Sequence, residues 1–172
     1  FVHIGKNKGM CLNPQESGPT WSGLTLSTGT SQTEQIPLLP ELYRASAIAQ
    51  ASTGTPLSVH HNIWGRHGPG ILDIVKEEGA DLKHTLIAHV DLDARCDVSY
   101  YEEIASRGAY LGFDTFGQTD AYQYKNIQRP GRVYATDYEK AENVAKVVEA
   151  GYLERIVLAM DLAVKTQVKR YG

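Results

Sequence analysis

The sequence of 172 residues predicts an α/β fold with parallel strands, and three observations support this prediction. Helix-like segments alternate with short apolar runs along most of the chain. Each of these helix-like segments ends near a glycine, and a polar residue follows all but the first of the apolar runs. Because parallel neighbours in a sheet need a helical crossover between them, this alternation predicts a parallel sheet covered by helices.

Five apolar runs predict the strands, since each is too short for a helix and is bounded by turn residues. The first, within "SGLTLSTGTS", predicts a strand at about 23–28 without a charged residue at its end. The other four are "PLSV", "TLIA", "AYLGF" and "RIVLAM". In chain order they lead to His60, His89, Asp114 and Asp161.

Four helices are predicted between these runs. The first is "LLPELYRASAIAQAST", and the second, "GPGILDIVKEE", has Pro69 near its start, where proline is tolerated. The third, "DVSYYEEIASR", offers Asp97 or Ser99 as N-cap. In the fourth, "TDYEKAENVAKVVEA", Thr136 precedes Glu139 by three residues, which matches a capping box. The four glycines expected as left-handed caps after these helices are Gly54, Gly79, Gly108 and Gly151.

Two architectures satisfy this pattern. A doubly wound open sheet of five strands is a natural size for 172 residues. A (β/α)8 barrel typically takes about 250 residues, so length alone favours the open sheet.

Both architectures place binding and catalytic residues at the carboxyl ends of the strands. His60, His89, Asp114 and Asp161 are therefore expected near one another, and two imidazoles with one of these carboxylates suit zinc, manganese, iron or cobalt. The alternative is that each of these side chains only caps a strand or bonds a loop. In the pair His60–His61 the two side chains must point to opposite faces of a strand, so they cannot share one role.

The composition excludes several functional classes. A net charge of −3 gives no electrostatic reason to expect nucleic acid or a membrane surface as partner. No apolar stretch approaches the roughly 20 residues of a membrane span, and no secretion signal opens the chain. Cys11 and Cys96 are too few for a disulfide framework, which predicts reduced thiols in a cytoplasmic protein. Residues 1–21 predict an irregular N-terminal segment, and 22–172 the folded domain.

Five stretches in order resemble one known family. "TGTPLSVHHN", "HTLIAHVDLD", "GAYLGFDTFG" and "RIVLAMDLAVKTQVKRYG" resemble the second half of phosphotriesterase-related proteins of the amidohydrolase superfamily. "SGLTLSTGTS" with "IPLLPELYRASAIAQASTGTP" resembles that family's fourth strand and fourth helix. The resemblance covers residues 22–172. It implies a fold of the (β/α)8 TIM-barrel type that is partial, with about five β/α units corresponding to strands four to eight.

The resemblance also implies a function. Members of the family bind one or two divalent metals and hydrolyse phosphotriesters, lactones or related esters. His60 and His89 correspond to metal ligands that end strands five and six. Asp161 corresponds to the strand-eight aspartate that binds metal and receives a proton from the metal-bound water. The implied cofactor is a divalent metal, zinc in the first place with manganese, iron or cobalt as alternatives, which lowers the pKa of its water toward about 7.

Three departures from the family pattern leave a second function open. Ser27 stands at the position of the bridging lysine or glutamate of strand four. The strand-one His-x-His is absent, since "FVHIGKN" has only His3, and Thr115 follows Asp114 where some members carry histidine. The alternative is a catalytically degenerate or partial barrel that binds a small molecule or a partner chain. Implied partners are an ester or lactone substrate, and either further copies of the chain or the missing barrel half.

Overall fold

The computed structural model describes residues 24–26, 39–61, 63–118 and 133–161. Ser27 and the predicted irregular segment 1–21 lie outside these ranges, so both remain predictions. None of the helices within the described ranges is long and apolar enough to cross a membrane.

The described chain alternates strands and helices as the sequence predicts. The strands are β1 (Leu24–Leu26), β2 (Leu57–Val59), β3 (Thr85–Ile87), β4 (Tyr110–Phe113) and β5 (Ile156–Leu158). The helices are α1 (Leu39–Thr53), α2 (Gly68–Glu77), α3 (Val98–Ala105) and α4 (Asp137–Glu149).

Local sequence signals fix the ends of the helices. Asp97 is the N-cap of α3 and accepts a hydrogen bond from the amide of Tyr100. Thr136 and Glu139 form the predicted capping box at the start of α4. The four predicted cap glycines all have positive φ, between 68° and 92°, which side chains with a Cβ adopt only at a cost: Gly54, Gly79, Gly108 and Gly151.

The five strands form one parallel sheet in the order β1-β2-β3-β4-β5. Each strand pairs with the next one in the chain, as Leu57 with Thr85 and Leu111 with Ile156. In a doubly wound sheet the order in which strands are added reverses at a switch point, so neighbouring strands are not all consecutive in the chain. The alternative of an open doubly wound sheet is therefore wrong, and the fold is a partial barrel of the (β/α)8 type.

The hydrophobic core lies between the sheet and its helices. On β2, Leu57 and Val59 are fully buried while Ser58 between them is partly exposed, so alternate side chains face the helices. Ile87, Leu111 and other strand residues extend this layer against α2 and α3. The opposite face of the sheet is the one that a complete barrel would enclose. The candidate site lies on this face, at the carboxyl ends of the strands.

Candidate metal site at the carboxyl end of the sheet

The histidine pair after β2 divides as alternation predicts. His61 follows Leu57 and Val59 onto the helix side, where its Nδ1 lies 2.9 Å from the Ala88 carbonyl and its Nε2 3.0 Å from the Tyr100 hydroxyl. Burial lowers the pKa of His61 to about 3, so this ring is a neutral structural link between β3 and α3. His60 lies on the opposite face.

His60 and His89 meet on the inner face of the sheet. The Nδ1 atom of His60 is 2.8 Å from the Nε2 atom of His89, and the two rings meet edge to face. Burial, followed by the charge of His89, lowers the pKa of His60 to about 4. His60 is therefore neutral near neutral pH, which is the form in which histidine binds a metal.

Asp114 orients His89 from the end of β4. One carboxylate oxygen of Asp114 accepts hydrogen bonds from the backbone amide of His89 at 2.9 Å and from its Nδ1 at 2.8 Å. Burial lowers the pKa of His89, but the hydrogen bond and charge of Asp114, together with the charges of Asp161 and Asp91, outweigh burial and the net shift is upward. A carboxylate behind an imidazole is the arrangement that fixes ring orientation and tautomer in metal sites.

Gly112 makes room for this contact. A Cβ atom at Gly112 would lie 2.8 Å from a carboxylate oxygen of Asp114 and 3.0 Å from the Ala88 backbone. A side chain there would displace either the carboxylate or the neighbouring strand. The glycine two residues before Asp114 in "YLGFD" is therefore needed for the Asp114 carboxylate to reach its place.

Two of the three predicted ligands have a left-handed backbone. In the described ranges, the residues other than glycine with positive φ are Arg66, His89 at 60° and Asp161 at 42°. Strict alternation would place His89 on the helix side with Ile87, but the left-handed turn redirects it toward His60. Such conformations are unfavourable and cluster at sites where side-chain placement matters.

Asp161 follows β5 and its charge reaches His89. Its charge raises the pKa of His89, so the two side chains are near enough to interact. The backbone carbonyl of Asp161 accepts a hydrogen bond from Gln118 at 2.7 Å. Within the described ranges, no group of three His, Cys, Asp or Glu side chains is arranged to hold a metal ion.

The arrangement of the two histidines fits a divalent cation. His60 Nδ1 and His89 Nε2 are 2.8 Å apart, a hydrogen-bond distance. Two nitrogen ligands of a tetrahedral zinc, each about 2.0–2.1 Å from the metal, are about 3.3 Å apart. To hold one cation, the two rings would therefore move apart by roughly 0.5 Å and turn so that both nitrogens face it.

Sequence reasoning missed three buried polar residues around this site. Asp91 accepts from the Thr115 amide at 3.1 Å, and its other oxygen has no hydrogen-bond partner in the described part of the chain. Burial, together with the charge of Asp114, raises the pKa of Asp91 to about 6. Lys140, fully buried, donates to the Thr115 carbonyl at 2.6 Å, and Gln118 contacts the end of β5. For Asp91 the signal was available: an acid two residues after His89, inside an apolar stretch.

Comparison with known proteins agrees with the barrel fold. The model of the phosphotriesterase family matches residues 20–172, so the chain belongs to that family. It is 33% identical over 135 residues to the N-acetyltaurine hydrolase of Homo sapiens, covering 77% of this chain and 37% of that protein. The chain spans a little over a third of the length of the curated relatives it matches.

Solved structures give the same fold. A resiniferatoxin-binding protein from Rhodobacter sphaeroides is 37% identical, with a TM-score of 0.67 over 77% of this chain and 36% of that one. A lactonase from Listeria monocytogenes is 26% identical, with a TM-score of 0.66 over 80% and 37% of the two chains. The relatives thus include hydrolases of different substrates on one barrel.

Proposed function

We propose that the protein carrying this chain is a metal-dependent hydrolase that cleaves ester, lactone or phosphotriester bonds. The observation that carries the proposal is the pair of imidazole nitrogens 2.8 Å apart at the carboxyl end of the sheet, one of them backed by a buried carboxylate. Membership of the phosphotriesterase family supports the same reaction class.

The proposed roles follow from the side chains. His60 and His89 would hold a divalent cation, zinc in the first place with manganese, iron or cobalt as alternatives. Asp161 would be the third ligand or would accept a proton from the attacking water at its carboxylate. When bound, the cation acidifies water and polarises the bond to be cleaved. Asp114 would keep His89 in the orientation that presents Nε2 to the site.

The remaining expectations are part of the same proposal. The substrate would be a small molecule, and the protein would work in the cytoplasm. The inner face of the five-stranded sheet would be covered either by further barrel strands or by another copy of the chain. Ser27, at the bridging position, would leave the site with one strongly held cation.

The experiment measures metal content and hydrolysis together. The protein is dialysed against zinc or manganese, and its bound metal is counted. It is then assayed on lactones and organophosphate triesters, and also on N-acetyltaurine, an amide, because a curated relative is named for it. We expect bound metal and activity on lactones or triesters, both lost in His60→Ala, whereas activity on N-acetyltaurine alone would contradict the proposed bond class. No retained metal together with unchanged activity in His60→Ala would contradict the proposal.

A second candidate function is a metal-free barrel that binds a small molecule or a partner chain. The observation that favours it is that no three ligand side chains converge among the described residues. Under this function, His60→Ala would alter ligand binding without altering metal content. The metal measurement therefore separates the two candidates.

A further inference from the structure

The backbone around Asp161 is held by a side chain from another β/α unit. Asp161 has a φ of 42°, which is unfavourable for a residue with a Cβ. The side-chain amide of Gln118 donates to the backbone carbonyls of Met160 and Asp161, the second at 2.7 Å. Gln118 is only 5% exposed, so water competes little for these carbonyls.

The segment that carries Gln118 is itself fixed from three sides. Asp91 accepts from the backbone amide of Thr115, and Lys140 donates to the Thr115 carbonyl. Asp137 accepts from the amide of Gly117 at 2.9 Å and pairs with Lys140 at 3.1 Å. Residues 114–118 thus form a short segment whose position is fixed by polar contacts to the loop after β3 and to α4, those of Asp91 and Lys140 to Thr115 being buried.

The same segment holds both left-handed ligand candidates. Asp114 at its start binds the amide and ring of His89. Gln118 at its end binds the carbonyl of Asp161. The segment therefore sets the relative positions of residues that come from two different strands.

We propose that Gln118 is a positioning residue, which holds Asp161 in the left-handed conformation that presents its carboxylate to the candidate metal site. This inference rests on the proposed function, in which Asp161 contributes to cation binding. Gln118 touches neither histidine in the described contacts and acts through the backbone of Asp161.

The chain offers a matched control at the opposite end of the sheet. Gln50 is 4% exposed, and its side-chain amide donates to the backbone carbonyls of Asp81 and His84, each at 3.1 Å. Both glutamines therefore make the same kind of buried contact. Only Gln118 makes it beside the candidate site, so the pair separates a role in the site from a role in stability.

The test compares Gln118→Met with Gln50→Met in the protein at its natural length. Both substitutions keep side-chain volume and remove the donor, and both are expected to lower the thermal unfolding midpoint. Cation affinity is measured by titrating Co²⁺ and following its visible absorption. We expect Gln118→Met to weaken Co²⁺ binding roughly tenfold, as loss of an orienting contact does, and Gln50→Met to change it less than about twofold. If Gln118→Met does not fold, Gln118→Asn replaces it. Its shorter side chain keeps the amide but moves the donor away from the Asp161 carbonyl, so the same weakening of Co²⁺ binding is expected.

A double-mutant cycle shows whether Gln118 acts through Asp161. Asp161→Asn removes the charge while asparagine still tolerates the left-handed backbone. In that background, Gln118→Met is expected to weaken Co²⁺ binding by less than a further twofold or so. An undiminished effect there, or equal effects of Gln118→Met and Gln50→Met, would overturn this inference alone. Absence of Co²⁺ binding by the unsubstituted protein would overturn the proposed function and the inference with it.

Discussion

The carboxyl and amino ends of the sheet belong to the same strands, but they differ in backbone conformation and in the burial of charged side chains. At the carboxyl end, His89 and Asp161 are left-handed, and the carboxylates of Asp91 and Asp114 are buried. At the amino end, the left-handed positions before the strands are glycines, such as Gly79, where this backbone costs little. Unfavourable conformations are thus concentrated at one end.

The polar side chains differ in the same way. His84, just before β3, pairs with Asp81 at 2.7 Å, and both side chains are exposed. His89, just after β3, pairs with Asp114 at 2.8 Å, and both are buried. Two similar pairs on one strand therefore have different surroundings. The amino end is built for stability, whereas the carboxyl end accepts unfavourable burial to place particular groups.

The largest effect is expected from the histidine after β3. His89→Ala should lower metal affinity and hydrolysis by more than about 100-fold if His89 is the ligand proposed above, because the change then removes a ligand and not only a group that orients one. His84→Ala, at the other end of the strand, should leave both unchanged. Metal titration and steady-state rates measure the difference. Equal losses in the two variants would show that the two ends do not differ in function.

The two aspartate partners provide the next comparison. Asp114→Asn keeps the size of the side chain but removes the charge that supports His89, so metal affinity should fall about 10–100-fold. Asp81→Asn alters an exposed pair and should leave metal affinity unchanged. Metal titration of both variants is the measurement. An unaltered affinity in Asp114→Asn would mean that His89 is oriented by other contacts.

Lys140 allows a comparison of buried and exposed lysine on one helix. Lys140→Met removes the shorter of two hydrogen bonds to the Thr115 carbonyl together with the ion pair to Asp137, and should lower the free energy of unfolding by about 1–3 kcal/mol. Lys146→Met, exposed on the same helix, should change it by less than about 0.5 kcal/mol. Urea denaturation measures both. If the two variants are equally stable, the buried contact adds nothing.

The smallest effect is expected at the amino end. Arg44 of α1 pairs with Glu77 and Glu78 at the end of α2, and the arginine is partly exposed. Arg44→Met should lower the thermal unfolding midpoint only slightly, because exposed ion pairs contribute little to stability. The loss should disappear in 1 M salt, where charges are screened within about 3 Å. A loss that persists in high salt would indicate packing by the arginine stem.

Features set by nearby residues were predictable from the sequence. The apolar runs predicted all five strands, and the glycines predicted the ends of the helices. Thr136 with Glu139 predicted the capping box, since that contact spans three residues. The expectation that His60 and His61 face opposite sides is confirmed because it follows from strand geometry alone.

Features set by the folded surroundings were not predictable. Lys140 lies on an amphipathic helix, where a lysine is usually exposed, and only the packing of α4 against the 114–118 segment buries it. Gln118 contacts a carbonyl 43 residues away, which no local pattern encodes. The metal-ligand roles of His60, His89 and Asp161 stay predictions, as does the role of Ser27, which lies outside the described residues.

The sequential order of the strands also bears on how the chain folds during synthesis. Each of the five described strands pairs only with strands that are its neighbours in chain order. A nascent chain can therefore add these β/α units one at a time, because none of the described pairings joins strands that are distant in the sequence. His60 can meet His89 as soon as β3 has joined β2, before β4 brings Asp114 and β5 brings Asp161. The candidate site is thus assembled in the order in which its residues leave the ribosome.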